Sequence, residues 1–278
     1  MKAKPLLIIF IGFTIYFIVD DLYFKFLRDL LNENIHNFGI SHIISYLIFG
    51  LPLFIGALII DTTQSFFEKL GLNASIVKGV IFSLICTAPM FIGFAFLFSF
   101  NHDLSLNEFL VSGIAAAFFE ELYFRGFLFG LAFKYSRLGF FWSVISGAIL
   151  FAAIHSYQSQ EIETLIGIFL TTFLGAVIFA WVYVEWNFNL WTAIGVHFFM
   201  NVSWMLFSVS DNALGDVYAN IFRIITIILI FGLTIIYKKR KNIPLIITKK
   251  TIWMLKEPVI KGLEAIQVKT ANKTTRHK

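Results

Sequence analysis

The chain has 278 residues, 58% of them hydrophobic and only 14% charged, with a mean hydropathy of +0.81 and a net charge of +5. That composition excludes a soluble globular domain, and repeated apolar runs of about 15 to 25 residues predict an all-α fold, a polytopic membrane helical bundle. The single cysteine, Cys86, excludes an intrachain disulfide and a multi-cysteine zinc or iron–sulfur site.

The first apolar run resembles a signal peptide but lacks a small-x-small cleavage site and ends in Asp20-Asp21, so it is read as a retained helix over 5–19. Residues 20–42 then form a mixed-charge connector. Leu22, Phe26, Leu27, Leu30 and Leu31 give it the spacing of an interfacial amphipathic helix. Helix 2 is expected over 43–60, and helix 3 over 79–100 with a kink at Pro89. Helix 4 covers 109–133 and helix 5 covers 139–155. Helix 6 covers 164–184, helix 7 covers 188–209 and helix 8 covers 218–237. Trp181, Trp186 and Trp191 have the placement of an interfacial aromatic belt.

From Lys238 onward the chain carries twelve Lys or Arg and two Glu, whereas the preceding 237 residues carry ten against fifteen acids. A basic tail after a last span contacts anionic lipid or fixes topology; no base-stacking motif supports nucleic acid as a partner. With about eight transmembrane helices, Lys2, Lys4, Lys69, Lys78, Lys134, Arg137 and the tail fall on one side, and Lys25, Arg28 and Arg223 on the other. Both termini are therefore expected to be cytoplasmic. The chain divides into 1–105 with helices 1–3, a 106–205 core with helices 4–7, a final helix over 206–237, and a basic cytoplasmic tail over 238–278.

Helix 4 holds Glu120, Glu121 and Arg125 near mid-membrane, where each charge costs about 2.5–3.5 kcal/mol and needs a partner. Glu121 and Arg125 stand i,i+4 and can pair. Glu120 is left without a local cation. A salt bridge alone can staple a bundle, but a second, unpaired carboxylate is a poor staple and suits a base.

His155 closes helix 5, and His197 and Asn201 share one face of helix 7. Each has a bland alternative: His155 an interfacial residue, Asn201 interhelical glue. Together with the glutamates they suit hydrolysis. A carboxylate and an imidazole can hold and deprotonate water, and an imidazole and an amide can stabilise an oxyanion. Glu120, His155 and His197 can instead ligate zinc and leave a position for water.

Glu120-Glu121-Leu-Tyr-Phe-Arg125, Phe151-Ala-Ala-Ile-His155 and His197-Phe-Phe-Met-Asn201, in this order, resemble the CPBP family. This is the Abi or type II CAAX prenyl endopeptidase family of intramembrane proteases, which includes bacteriocin-immunity and lysostaphin-resistance relatives. The likeness covers about 106–205. It implies an eight-helix bundle with a site in a membrane cavity. There Glu120 and His155 would activate water, His197 and Asn201 would stabilise the oxyanion, and Glu121 and Arg125 would support them. The family has been described both as metal-dependent and as glutamate-dependent. The resemblance implies membrane lipid and a peptide or protein substrate, lipidated in eukaryotic members, and an integral membrane protein of a bacterial or archaeal cell.

Other intramembrane proteases fit worse, since the chain lacks His-Glu-x-x-His, Gly-x-Ser-Gly and Gly-x-Gly-Asp. Two alternatives remain: a non-proteolytic immunity or scaffold protein binding peptide or lipid in the same cavity, and a proton-coupled transporter. The transporter would need broken helices or repeated halves, and no duplication is visible.

Overall fold

A computed structural model describes residues 3–260; Met1, Lys2 and residues 261–278 of the expected tail lie outside the described residues. The described chain is helical, with no β-strand among the described residues. The helices are α1 (Ala3–Ile35), α2 (Phe38–Phe49), α3 (Leu51–Ile60), α4 (Phe66–Leu70) and α5 (Ile76–Leu97). A short α6 (Leu106–Glu108) runs into a π-helix (Phe109–Leu131), which returns to α-helix as α7 (Ala132–Tyr135). Next come α8 (Phe140–Ile154), a 3₁₀ turn (His155–Gln158), α9 (Ile162–Glu185), α10 (Leu190–Leu206) and α11 (Val217–Arg240).

Five helices are long and apolar enough to cross a membrane, or up to six when the bent pair α2 and α3 counts as one span. Together with their lipid-type exposed faces, such as Leu170 and Leu174 on α9, these make the chain an integral membrane protein, a polytopic helical bundle.

The first helix departs from the expected 5–19. There is no break at Asp20-Asp21, and the expected connector continues as helix through Ile35. At 33 residues α1 is about 50 Å long, so it overhangs a 30 Å hydrocarbon core by roughly 20 Å. The mixed-charge residues Lys25, Arg28, Asp29 and Glu33 belong to the C-terminal half of this one helix, and Arg28 pairs with neighbouring Asp29 at 2.8 Å. Helix 2 is likewise two helices bent by 40° at Gly50, with Pro52 in the first turn of α3. Gly50 leaves the space that Tyr123 of the π-helix fills, and the Tyr123 hydroxyl donates to the Tyr46 carbonyl at 2.6 Å. Pro89 sits inside α5 without ending it.

Glycine lets α5 and α10 approach closely. A Cβ on Gly79 would stand 2.7 Å from the Trp191 backbone, and Ser83 Oγ donates to Thr192 O at 3.1 Å across the same seam. Gly79→Ala is expected to destabilise the protein by about 1–3 kcal/mol, read as a lower unfolding temperature in detergent.

Two lysines counted as topology charges are buried instead. Lys69 (1% exposed) donates to Ala57 O at 2.8 Å and Leu58 O at 3.2 Å, capping α3, and Lys134 (3% exposed) donates to Lys69 O at 2.7 Å. Trp186 Nε1 donates to Thr234 Oγ1 and Trp191 Nε1 to Leu72 O, each at 3.0 Å, so both tie helix ends together.

Candidate functional site

The π-helix runs through the middle of the bundle. All residues from Glu121 to Phe127 are buried, so its charged groups must find protein partners. Glu121 does so. Its Oε1 lies 3.1 Å from Arg125 Nη1, the i,i+4 pair expected from spacing, and 2.8 Å from His197 Nδ1 of α10. One carboxylate oxygen thus bridges the guanidinium and the imidazole. The other, Oε2, is buried without a hydrogen bond.

Arg125 (2% exposed) makes the charge contact to Glu121 without a well-aligned hydrogen bond. Its guanidinium instead lies over two aromatic faces, Phe151 of α8 at 4.2 Å and Phe179 of α9 at 5.5 Å. Arg125 therefore joins three elements: the π-helix, α8 and α9.

His155 is the first residue of the turn after α8. Its Nδ1 lies 2.6 Å from Phe151 O, and its ring packs on Phe151 at 4.6 Å. A carbonyl oxygen only accepts, so Nδ1 carries the hydrogen and Nε2 keeps its lone pair. The same logic applies to His197, whose Nδ1–H faces the Glu121 carboxylate and whose ring packs on Phe179 at 5.6 Å. Both imidazoles are therefore oriented through Nδ1 with Nε2 left for chemistry.

Asn201 donates through Nδ2 to Ser112 O of the π-helix at 2.8 Å. The amide serves as interhelical glue there, and its second N–H stays available. Gly113 beside this contact admits Met205 of α10, whose Cε would be 3.3 Å from an added Cβ.

Glu120 is partly buried, and its Oε2 is enclosed without a hydrogen-bond partner. Among the described residues no hydrogen bond or ion pair joins it to His155, His197 or Asn201. The structure thus gathers Glu121, Arg125 and His197 into one contact group. It links His155 to that group through Phe151, and it leaves Glu120 as a free carboxylate beside them.

Nothing in the residue pattern points to the π-helical register, to the Glu121–His197 contact or to Phe179 under Arg125. The signals that existed were Phe151, one helical turn before His155, and the charge of Arg125, which in a buried site calls for aromatic faces. As for zinc, no three His, Cys, Asp or Glu side chains among the described residues group closely enough to hold a metal ion. Glu120, His155 and His197, the set expected as zinc ligands, are accordingly not drawn together as one ligand group.

The helical bundle thus carries two imidazoles oriented through Nδ1, one buried carboxylate and one partly buried carboxylate, in a chain that is an integral membrane protein. Residues 102–203 match the family model described as Type II CAAX prenyl endopeptidase Rce1-like, which supports the likeness to the CPBP/CAAX protease family. The match implies a peptidase and contains all six residues above. No curated protein and no solved structure matches the chain.

Proposed function

We propose that the protein is an intramembrane endopeptidase that hydrolyses a peptide bond close to the membrane, without a covalent acyl-enzyme. The carrying observation is the division of labour between adjacent carboxylates: Glu121 is spent on Arg125 and His197, and Glu120 has an unpartnered oxygen. Glu120 takes the proton of a water that His155 Nε2 helps to hold. As the carbonyl is attacked, negative charge builds on its oxygen. His197, oriented by Glu121 through Nδ1–H, lies on the side of that charge, and the second N–H of Asn201 donates to the oxygen. Arg125 does not touch substrate; it fixes Glu121 and holds Phe151, which orients His155.

Several finer readings belong with this. All eight apolar segments, the π-helix and α10 included, cross the bilayer, and both termini are cytoplasmic. Exposed Lys78, Arg137 and Lys239–Lys241 lie at one end of the bundle. The loops 98–105, 155–161 and 207–216 at the other end carry Asp103, Glu161 and Asp211 and no Lys or Arg. The catalytic core is 106–205. The substrate class is a peptide or protein at the membrane, a prenylated C-terminal CAAX peptide being the first to try, as the family's name suggests. The cell is bacterial or archaeal.

The test uses purified full-length protein, a farnesylated CAAX peptide and its unmodified counterpart. Release of a C-terminal fragment is expected from the farnesylated peptide, and it is expected to survive a strong chelator because the donor set does not fit a metal. Activity abolished by chelation and restored by zinc would instead give Glu120, His155 and His197 the role of ligands. No cleavage of either peptide would remove the CAAX substrate class.

A further inference from the structure

The first part of the expected basic tail, after α11, packs back on the bundle. Glu185, buried at the C-terminal end of α9, accepts the Lys238 ammonium, the Ile246 N–H at 3.1 Å and the Ile247 N–H at 2.8 Å. Further on, Thr251 O and Ile252 O accept from Phe140 N and Phe141 N at 2.9 Å each. Those are orphan donors at the N-terminus of α8, so the chain itself caps that helix. The Leu255 N–H then donates to Arg137 O at 2.8 Å. Residues 241–255 form a strap across one end of the bundle, tying α8, α9 and α11 together.

The strap is held largely by its backbone, which leaves side chains facing outward. Trp253 is 55% exposed and Met254 51%, with Ile243 and Leu245 also exposed. Exposed Lys239, Arg240, Lys241, Lys249 and Lys250 surround them, and no Asp or Glu occurs between Lys238 and Lys256. This surface lies where α11, a membrane-length apolar helix, ends. Apolar and indole groups at that level enter the headgroup and acyl boundary, and cations there meet phosphate. Lys238 takes no part, because its ammonium is consumed by Glu185.

We propose that residues 239–254 form a docking surface for anionic phospholipid headgroups. Neutral lipid satisfies the apolar side chains alone; an anionic headgroup satisfies both halves of the patch. Each cation near an anionic surface contributes about a fivefold gain in affinity.

The experiment titrates short-chain phosphatidylglycerol into the full-length protein in neutral detergent, with bound lipid counted by native mass spectrometry. Phosphatidylcholine of the same chain length and inorganic phosphate are the comparison arms. Phosphatidylglycerol is expected to bind at least tenfold more tightly than phosphatidylcholine, to weaken with salt, and not to be displaced by phosphate. A variant with Lys239, Arg240, Lys241, Lys249 and Lys250 all changed to Gln is expected to lose that preference. Equal affinity for the two lipids, displacement by phosphate, or a preference unchanged in the variant would overturn the proposal. Should the variant fail to fold, wild-type protein in about 0.5 M salt gives the same comparison: a preference that persists there overturns it.

Discussion

Glu120→Gln is expected to lower peptide hydrolysis by about 10²–10⁴-fold while leaving the protein folded. The substitution is nearly isosteric and removes only the ability to accept a proton. Glu120 is the right target because, among the described residues, its Oε2 is enclosed without a hydrogen bond and no ion pair claims the side chain. A carboxylate in a salt-bridge network would cost stability when neutralised; a free one costs little. An unfolding temperature close to wild type, together with the loss of turnover, would separate the chemical role from a structural one. Retained turnover in a folded Glu120→Gln protein would remove Glu120 from the mechanism.

Glu121→Ala is expected to act in the opposite way, destabilising the protein by about 3–5 kcal/mol. Its carboxylate is 0% exposed and compensates Arg125, itself 2% exposed. Removing it leaves a guanidinium between the π-helix, α8 and α9 with only the Phe151 and Phe179 faces for support. It also frees His197 Nδ1 from its acceptor. The double change Glu121→Leu with Arg125→Met is expected to recover most of the stability, because a buried ion pair replaced by apolar groups of similar volume is often neutral. It is not expected to recover turnover, since His197 stays unoriented. Thermal unfolding of the two variants beside wild type checks both statements. A Glu121→Ala protein as stable as wild type would show that the pair does not hold the bundle.

The sequence made the local part of this site legible and hid the rest for physical reasons. Glu121 and Arg125 pair at i,i+4, a distance fixed by helix geometry, so spacing alone revealed them. The Glu121–His197 contact spans 76 residues and depends on how α10 packs on the π-helix, which no local pattern encodes. Asn201 illustrates the limit from the other side. Its residue type pointed both to oxyanion donation and to interhelical glue, and the structure shows one of its N–H groups given to Ser112 O. The apolar runs located helix bodies to within a few residues, because burial in lipid demands continuous apolar sequence. They misjudged α1, since helix can continue past a charged boundary into water. The strap was invisible for a related reason. Lys238 read as a topology charge and Glu185 as a loop residue, yet they meet as a buried pair 53 residues apart.

The measurement that bears most directly on the central claim is single-turnover cleavage of a farnesylated CAAX peptide by wild type, Glu120→Gln and Glu121→Gln, with fragments identified by mass spectrometry. The wild type is expected to release the C-terminal tripeptide with no peptide left covalently attached to the protein. Glu120→Gln is expected to release none on the same timescale while unfolding at the wild-type temperature. Cleavage by Glu120→Gln at the wild-type rate, or a trapped acyl-enzyme in any sample, would contradict water activation by Glu120.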